Sequence, residues 1–225
     1  MFISQPNRHL TVNLLSGKDP EKIYVCQIDD PLNVEKWVVS PDARDYTKEE
    51  ASRCAMCCAK MILRAEDRRE PWLKIDPSLE ELFNWAQDCS AYRWEDEDDG
   101  WKGAYHGELA AFFWHSLRLW SQAERNVDLG FVRQRLLEGY YVLASVHPNI
   151  RFPNDDDVPE KKGGHFVLIY GFEIHGDTCW FFIMNSAGFA SRNSQIAVKI
   201  LSNRVFQLFS GNVVLVRSQR CVRKS

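Results

Sequence analysis

The run Gly164-His165-Phe166-Val167-Leu168-Ile169-Tyr170-Gly171-Phe172-Glu173 decides how this chain is read, together with Cys179-Trp180-Phe181-Phe182-Ile183-Met184-Asn185-Ser186 that follows it. Both segments are dense in aromatic and branched aliphatic residues, and Gly176-Asp177 between them is a turn signal. The spacing therefore predicts a β-hairpin with strands at 165–173 and 179–184. A turn centred between His175 and Gly176 sets His165 opposite Ser186 and Phe166 opposite Asn185. A histidine and a side-chain amide then share one end of the sheet. An amide oxygen that accepts from one ring N–H fixes the imidazole tautomer and leaves the other nitrogen free to act as a base. Gly163 and Gly164 leave room for a substrate backbone beside that histidine and also suit a plain loop.

Around the hairpin the chain divides by character. Tyr140 to Val146 is a short apolar run suited to a buried strand, and 195–200 and 212–217 complete a sheet lobe over about 140–217. Upstream, Ala51 to Glu66 carries Ala, Met, Leu and Lys without Gly or Pro, which predicts a helix. Further helices are expected at 78–89, 106–120 and 127–138, the last capped by Asp128 with Phe131, Leu136 and Leu137 facing the core. This gives a helical lobe over about 47–138. Strands at 10–15 and 22–27 precede it, and 31–50 is polar and Pro-interrupted. Helices first and strands mostly second argue for an α+β domain spanning 1–225.

Composition bounds the function classes. The chain has 225 residues, 45% hydrophobic and 26% charged, with a formal net charge of −3. That balance supports one large globular domain with a full core, and it lacks the basic stripe of a nucleic-acid binder. No stretch approaches the ~18 apolar residues of a membrane span, and Gln5-Pro6-Asn7-Arg8-His9 breaks any signal-peptide pattern, so a cytoplasmic protein is expected. The acidic runs Glu95 to Asp99 and Asp155 to Asp157 fit solvated loops, and the tryptophans of the helical half fit core or cleft wall.

Seven cysteines are the unusual feature of the composition, at 26, 54, 57, 58, 89, 179 and 221. An odd number in an unexported chain points to reduced thiols, a metal site or a nucleophile. Cys54-x-x-Cys57 has no second pair or His pair to complete a zinc site, so no metal and no cofactor is expected. A thioredoxin-like redox pair would need a different context. The third reading takes Cys54 as a nucleophile near a helix N-terminus, with His165 and Asn185 following in the order Cys, His, Asn. Thr47 and Glu50 form a potential capping box that would start the helix too early and bury Cys54 in its second turn. A nucleophile at Cys54 requires a break near Ser52-Arg53.

These motifs resemble the papain-fold peptidases of the bacteriocin-leader (double-glycine peptidase-like) group. In that group the nucleophile segment reads roughly Cys-x-x-Thr-Ser-x-Ala-Met-x-Leu, and the histidine opens a Gly-His-Phe-x-x-x-x-Gly strand. Here Cys54-Ala55-Met56-Cys57-Cys58-Ala59-Lys60-Met61-Ile62-Leu63 fits the first, with Cys57 and Cys58 where Thr and Ser are usual. Gly164 to Gly171 fits the second, and Asn185-Ser186 fits the third element. The resemblance covers about 22–217. It implies a papain-like fold and acyl transfer to a Cys54 thioester from a peptide or other acyl or amide substrate, with neither nucleic acid nor membrane as partner. Gln27, in Gln27-Ile28-Asp29-Asp30-Pro31, is the implied oxyanion donor, across a gap to Cys54 longer than usual. Hydrolysis gives a peptidase, whereas attack by an amine gives an acyl- or aminoacyltransferase. A non-catalytic binding module on the same fold is the remaining alternative.

Overall fold

A computed structural model describes residues 9–25, 53–67, 76–94, 101–187 and 195–219. Gln27, the 31–50 segment, the Thr47/Glu50 capping box, the Glu95 to Asp99 run, Trp72, Cys26 and Cys221 lie outside the described residues. In chain order the elements are β1 (His9–Asn13), α1 (Pro20–Ile23), α2 (Cys54–Glu66), α3 (Leu79–Asp88), β2 (Tyr92–Trp94), β3 (Trp101–Ala104), α4 (His106–His115), β4 (Ser121–Glu124), α5 (Leu129–Leu137), β5 (Tyr140–Val146), a 3₁₀ turn (Pro148–Arg151), β6 (His165–His175), β7 (Thr178–Met184), β8 (Val198–Leu201), α6 (Ser202–Leu208) and β9 (Phe209–Arg217).

Among the described residues an antiparallel seven-stranded sheet organises the molecule, six strands in the order β4-β9-β5-β6-β7-β8 and the seventh, β1, paired to β6 off that path. The eleven-residue strand β6 is its spine. One edge of β6 pairs with β5 over its first half and with β1 over its second, and β7 covers the other edge. Both sheet faces are buried, which explains the unbroken apolar runs in β5 and β6. Tyr141, Leu143, Phe166, Leu168 and Val214 pack with α2, α3 and α4, whereas Val142, Ala144, Val167, Ile169 and Val213 pack with α5 and α6. Strict period-two alternation sends neighbouring residues to opposite cores.

The helix α2 runs through the centre of the first core. Nearly every residue from Cys54 to Leu63 is buried, so it is apolar all round rather than amphipathic. Its one buried cation, Lys60, reaches Asp76 at 3.6 Å, and Arg64 meets the same carboxylate at 3.0 Å. These two cations hold the Asp76 carboxyl below its ordinary range against the opposing effect of burial.

Several expectations are corrected. Residues 22–23, expected in a strand, close a short helix, because Asp19 caps it through Glu21 N–H at 3.0 Å and Pro20 occupies its first turn. The helix expected at 106–120 ends at His115, after which Arg118 adopts a left-handed conformation. Asp128 caps α5 through Phe131 N–H at 2.7 Å as expected, but Leu137 is exposed and Leu129 and Val132 take the core positions. That helix covers the sheet face opposite α2, and β4, between the helices expected at 106–120 and 127–138 and within the lobe expected to be helical, is an edge strand of the main sheet. Trp114 and Trp120 are exposed rather than core.

Candidate active site

Three elements converge on one point. The helix α2 begins at Cys54, with Arg53 at its cap and Cys57 N–H making the first turn's bond to Arg53 C=O at 3.0 Å. Cys54 therefore stands at the first helical position. His165 is the first residue of β6. Asn185 follows the last residue of β7.

The hairpin register differs from the expected one. His175 pairs with Thr178 across the two-residue turn Gly176-Asp177, and an extra residue at Tyr170 bulges the strand before Ile169 pairs with Ile183. Pairing stops at Leu168↔Met184, so neither His165 nor Phe166 has a ladder partner on β7. Asn185 lies beyond the strand and reaches His165 by its side chain alone. The bulge also reverses the alternation, placing Phe172 in the second core. Gly171 follows from the same crowding. A Cβ there would collide with Val12 C=O and stand 2.9 Å from the Phe182 ring, because β1 runs alongside β6 with Asn13 opposite Gly171. Gly164 enters β6 at φ +91°, a conformation that residues with a Cβ rarely adopt.

The imidazole is held by a chain of hydrogen bonds whose polarity is set by backbone groups at both ends. His165 Nε2 lies 2.7 Å from Asn185 Oδ1. Ala187 N–H donates to the same oxygen at 3.0 Å, which identifies that atom as the carbonyl of the amide. Asn185 Nδ2 donates to Gln195 Oε1 at 2.6 Å, and Gln195 Nε2 donates to Arg151 C=O at 3.4 Å. An acceptor at Asn185 Oδ1 requires His165 to carry its proton on Nε2, leaving Nδ1 as the basic nitrogen. The Asn185 backbone is also fixed, its N–H donating to Gln195 C=O at 3.1 Å and its C=O accepting from Tyr24 Oη at 2.9 Å. Tyr24, Ala187, Gln195 and Arg151 had no signal in the sequence.

The thiol sits against the residue next to the histidine. Phe166 N–H donates to Cys54 Sγ at 3.4 Å, and Cys58 Sγ, one turn along α2, donates to Phe166 C=O at 3.8 Å. Among the described residues the hydrogen bond to Cys54 sulfur comes from that amide and not from the imidazole. Proton transfer to Nδ1 therefore needs a side-chain rotation or a closer approach when substrate binds. His106, at the start of α4, packs against the Phe166 ring with centroids 5.0 Å apart and the two planes tilted by 53°.

Burial controls the charges. Cys54 is 8% exposed and His165 7%. Desolvation lowers the His165 pKa to about 4; Arg151 pushes the same way, and the Asn185 bond opposes it. Desolvation also raises the Cys54 thiol pKa, against the N–H groups of Phe166, Ala55 and Cys54 itself, which favour the thiolate. A helix N-terminus ordinarily stabilises a thiolate, but here the cost of removing the charge from water is the larger effect. The resting pair is a neutral thiol beside a neutral imidazole. Burial and the neighbouring Cys54 push Cys58 well above its ordinary range, so it stays protonated at neutral pH. No group of three or more His, Cys, Asp or Glu side chains is placed to hold a metal among the described residues. No described helix is long and apolar enough to cross a membrane.

Such an arrangement offers a nucleophilic sulfur, a base of defined tautomer, and the amides of a helix's first turn, which have no partner within the helix. No protein-family model and no curated protein matches the sequence. Among solved structures, a Bacillus anthracis protein assigned as a C39-like peptidase is similar with a TM-score of 0.54 at 12% identity, over 93% of this chain and 100% of that one. Digestive procathepsin L2 from Tenebrio molitor larval midgut is also found, with a TM-score of 0.38 at 13% identity, over 92% of this chain and 82% of that one. On the first of these likenesses the chain has the papain-like α+β fold.

Proposed function

We propose that this protein is a cysteine peptidase-type acyl-transfer enzyme in which Cys54 is the nucleophile, His165 the base and Asn185 the residue that orients it. The observation that carries the reading is the 2.7 Å contact between His165 Nε2 and Asn185 Oδ1, with its polarity dictated by Ala187 N–H, beside a thiol at the first position of α2. The thiol proton passes to His165 Nδ1 as Cys54 Sγ attacks a substrate carbonyl. The oxyanion is received by Cys54 N–H and, on the family resemblance, by the Gln27 side chain; each such donor is worth about 3 kcal/mol. The imidazolium returns the proton to the leaving amine, and water drawn by Nδ1 then releases the acid from the thioester.

Within the papain-like fold we place the chain with the double-glycine peptidase-like group, on Gly164 to Gly171 and Cys54 to Leu63. We also place it in a reducing compartment, the cytoplasm, which suits a working thiol. A panel of fluorogenic peptides that includes Gly-Gly ends tests the activity, with Cys54→Ala as control. Turnover that vanishes in Cys54→Ala supports the reading, and turnover that survives it overturns the reading. Comparing product release in water with release in added amine separates a hydrolase from a transferase.

A further inference from the structure

We infer that Gln195 is a positioning residue for this site: a buried amide relay from Arg151 C=O through Gln195 to Asn185 holds the His165 tautomer. The inference rests on the reading of His165 as the base and adds to it a residue that neither the nucleophile motif nor the histidine motif contains.

Gln195 is 2% exposed, ten residues beyond Asn185, and its side chain is used at both ends. Its oxygen accepts from Asn185 Nδ2 at 2.6 Å and its nitrogen donates to Arg151 C=O at 3.4 Å. Each amide can serve its neighbours in one orientation only. The Arg151 carbonyl cannot donate, so Gln195 must turn its nitrogen there and its oxygen toward Asn185. That choice presents an acceptor to Asn185 Nδ2 and agrees with Ala187 N–H about which way the Asn185 amide faces. Two backbone groups on separate segments thus demand the same tautomer. Ala187 N–H specifies the oxygen end of Asn185. Gln195 removes the competing option in which Asn185 Nδ2, buried without an acceptor, rotates toward water and leaves the imidazole unheld. An unsatisfied buried donor of this kind is strongly disfavoured. The relay also ties the site to the 148–162 segment, where Arg204 donates to Asp157 C=O at 2.7 Å and to Phe152 C=O at 3.4 Å.

Two substitutions separate positioning from bulk packing. Gln195→Met keeps the length but has no acceptor, so kcat/KM and the rate of Cys54 alkylation by iodoacetamide should fall about tenfold at every pH. Gln195→Glu carries both the acceptor and, while protonated, the donor. Burial raises the pKa of such a carboxyl, so at pH 5 this variant should remain within about threefold of wild type. As the carboxyl ionises it loses its donor to Arg151 C=O, and repulsion between that carbonyl and the carboxylate swings the side chain out of the relay, so that Asn185 Nδ2 loses its acceptor and the rates should drop toward those of Gln195→Met. The Glu variant alone should therefore show a descending limb near neutrality. ¹⁵N NMR of the His165 ring should report the Nε2–H form in wild type and in Gln195→Glu at pH 5, and a tautomer mixture in Gln195→Met. Parallel pH profiles for the two variants, or an undisturbed Nε2–H ring in Gln195→Met, would overturn the proposal. A wild-type protein whose Cys54 alkylation ignores His165 would defeat the peptidase reading instead, and the NMR result would still decide the role of Gln195.

Discussion

Replacing His165 by Gln tests the electrostatic account without any substrate. In the native protein the buried imidazole titrates at about 4, against 6.5 for an unburied one. Between those values the unfolded chain binds a proton that the folded chain refuses, so stability must fall as the pH drops through that window. Above 6.5 neither state binds the proton and the group contributes no pH dependence. At pH 4 the difference amounts to about 3 kcal/mol, at 1.36 kcal/mol per pKa unit and with the folded group half protonated. A Gln at 165 cannot titrate. Urea unfolding of both proteins at pH 7 and pH 4 isolates the term, because the remaining carboxylates and histidines are common to both. Wild type should lose about 3 kcal/mol more than His165→Gln over that interval. Equal losses, or a larger loss in the variant, would mean that the imidazole is not held neutral by burial, and the neutral-pair description of the site would fail.

The same depressed pKa places the acidic limb of kcat/KM nearer 4 than 6.5 for any substrate acylating Cys54, measured with buffers spanning pH 3 to 8. Asn185→Ala should lower kcat/KM by about a hundredfold, since the base loses its orienting acceptor, while Cys58→Ala should stay within a few-fold of wild type because Cys58 remains a protonated packing thiol. Gly171→Ala should destabilise the protein by about 3 kcal/mol or release β1 to proteolysis, because its methyl would collide with the Val12 carbonyl; an unchanged urea midpoint would contradict the close pairing of β1 with β6 at that residue.

The hairpin was legible because its two apolar flanks and Gly176-Asp177 are local signals, and they bring His165 and Asn185 to one end whatever the register. The register itself was not legible. A one-residue shift at the turn and a bulge at Tyr170 depend on how β1 and β5 share the edge of β6, and those contacts are distant in sequence. Cys54 posed a choice between a capping box at Thr47 and a break at Ser52-Arg53, two local signals that the sequence could not rank; α2 begins at Cys54, with Arg53 at its cap. The Ser121-Gln122-Ala123-Glu124 strand carries almost no apolar residues and exists because β9 offers it a partner edge. Gln195 had no motif to announce it, since its function depends on two backbone groups that only the fold brings near.

Acyl trapping decides whether Cys54 is a nucleophile served by His165. The protein is exposed to p-nitrophenyl acetate, quenched in acid, digested and mapped by mass spectrometry. A nucleophilic Cys54 served by His165 should give an acetyl thioester on the Cys54 peptide that forms at least about a hundredfold more slowly in His165→Ala. Acetylation confined to exposed Cys89, or a Cys54 thioester that forms at the same rate without His165, would contradict it.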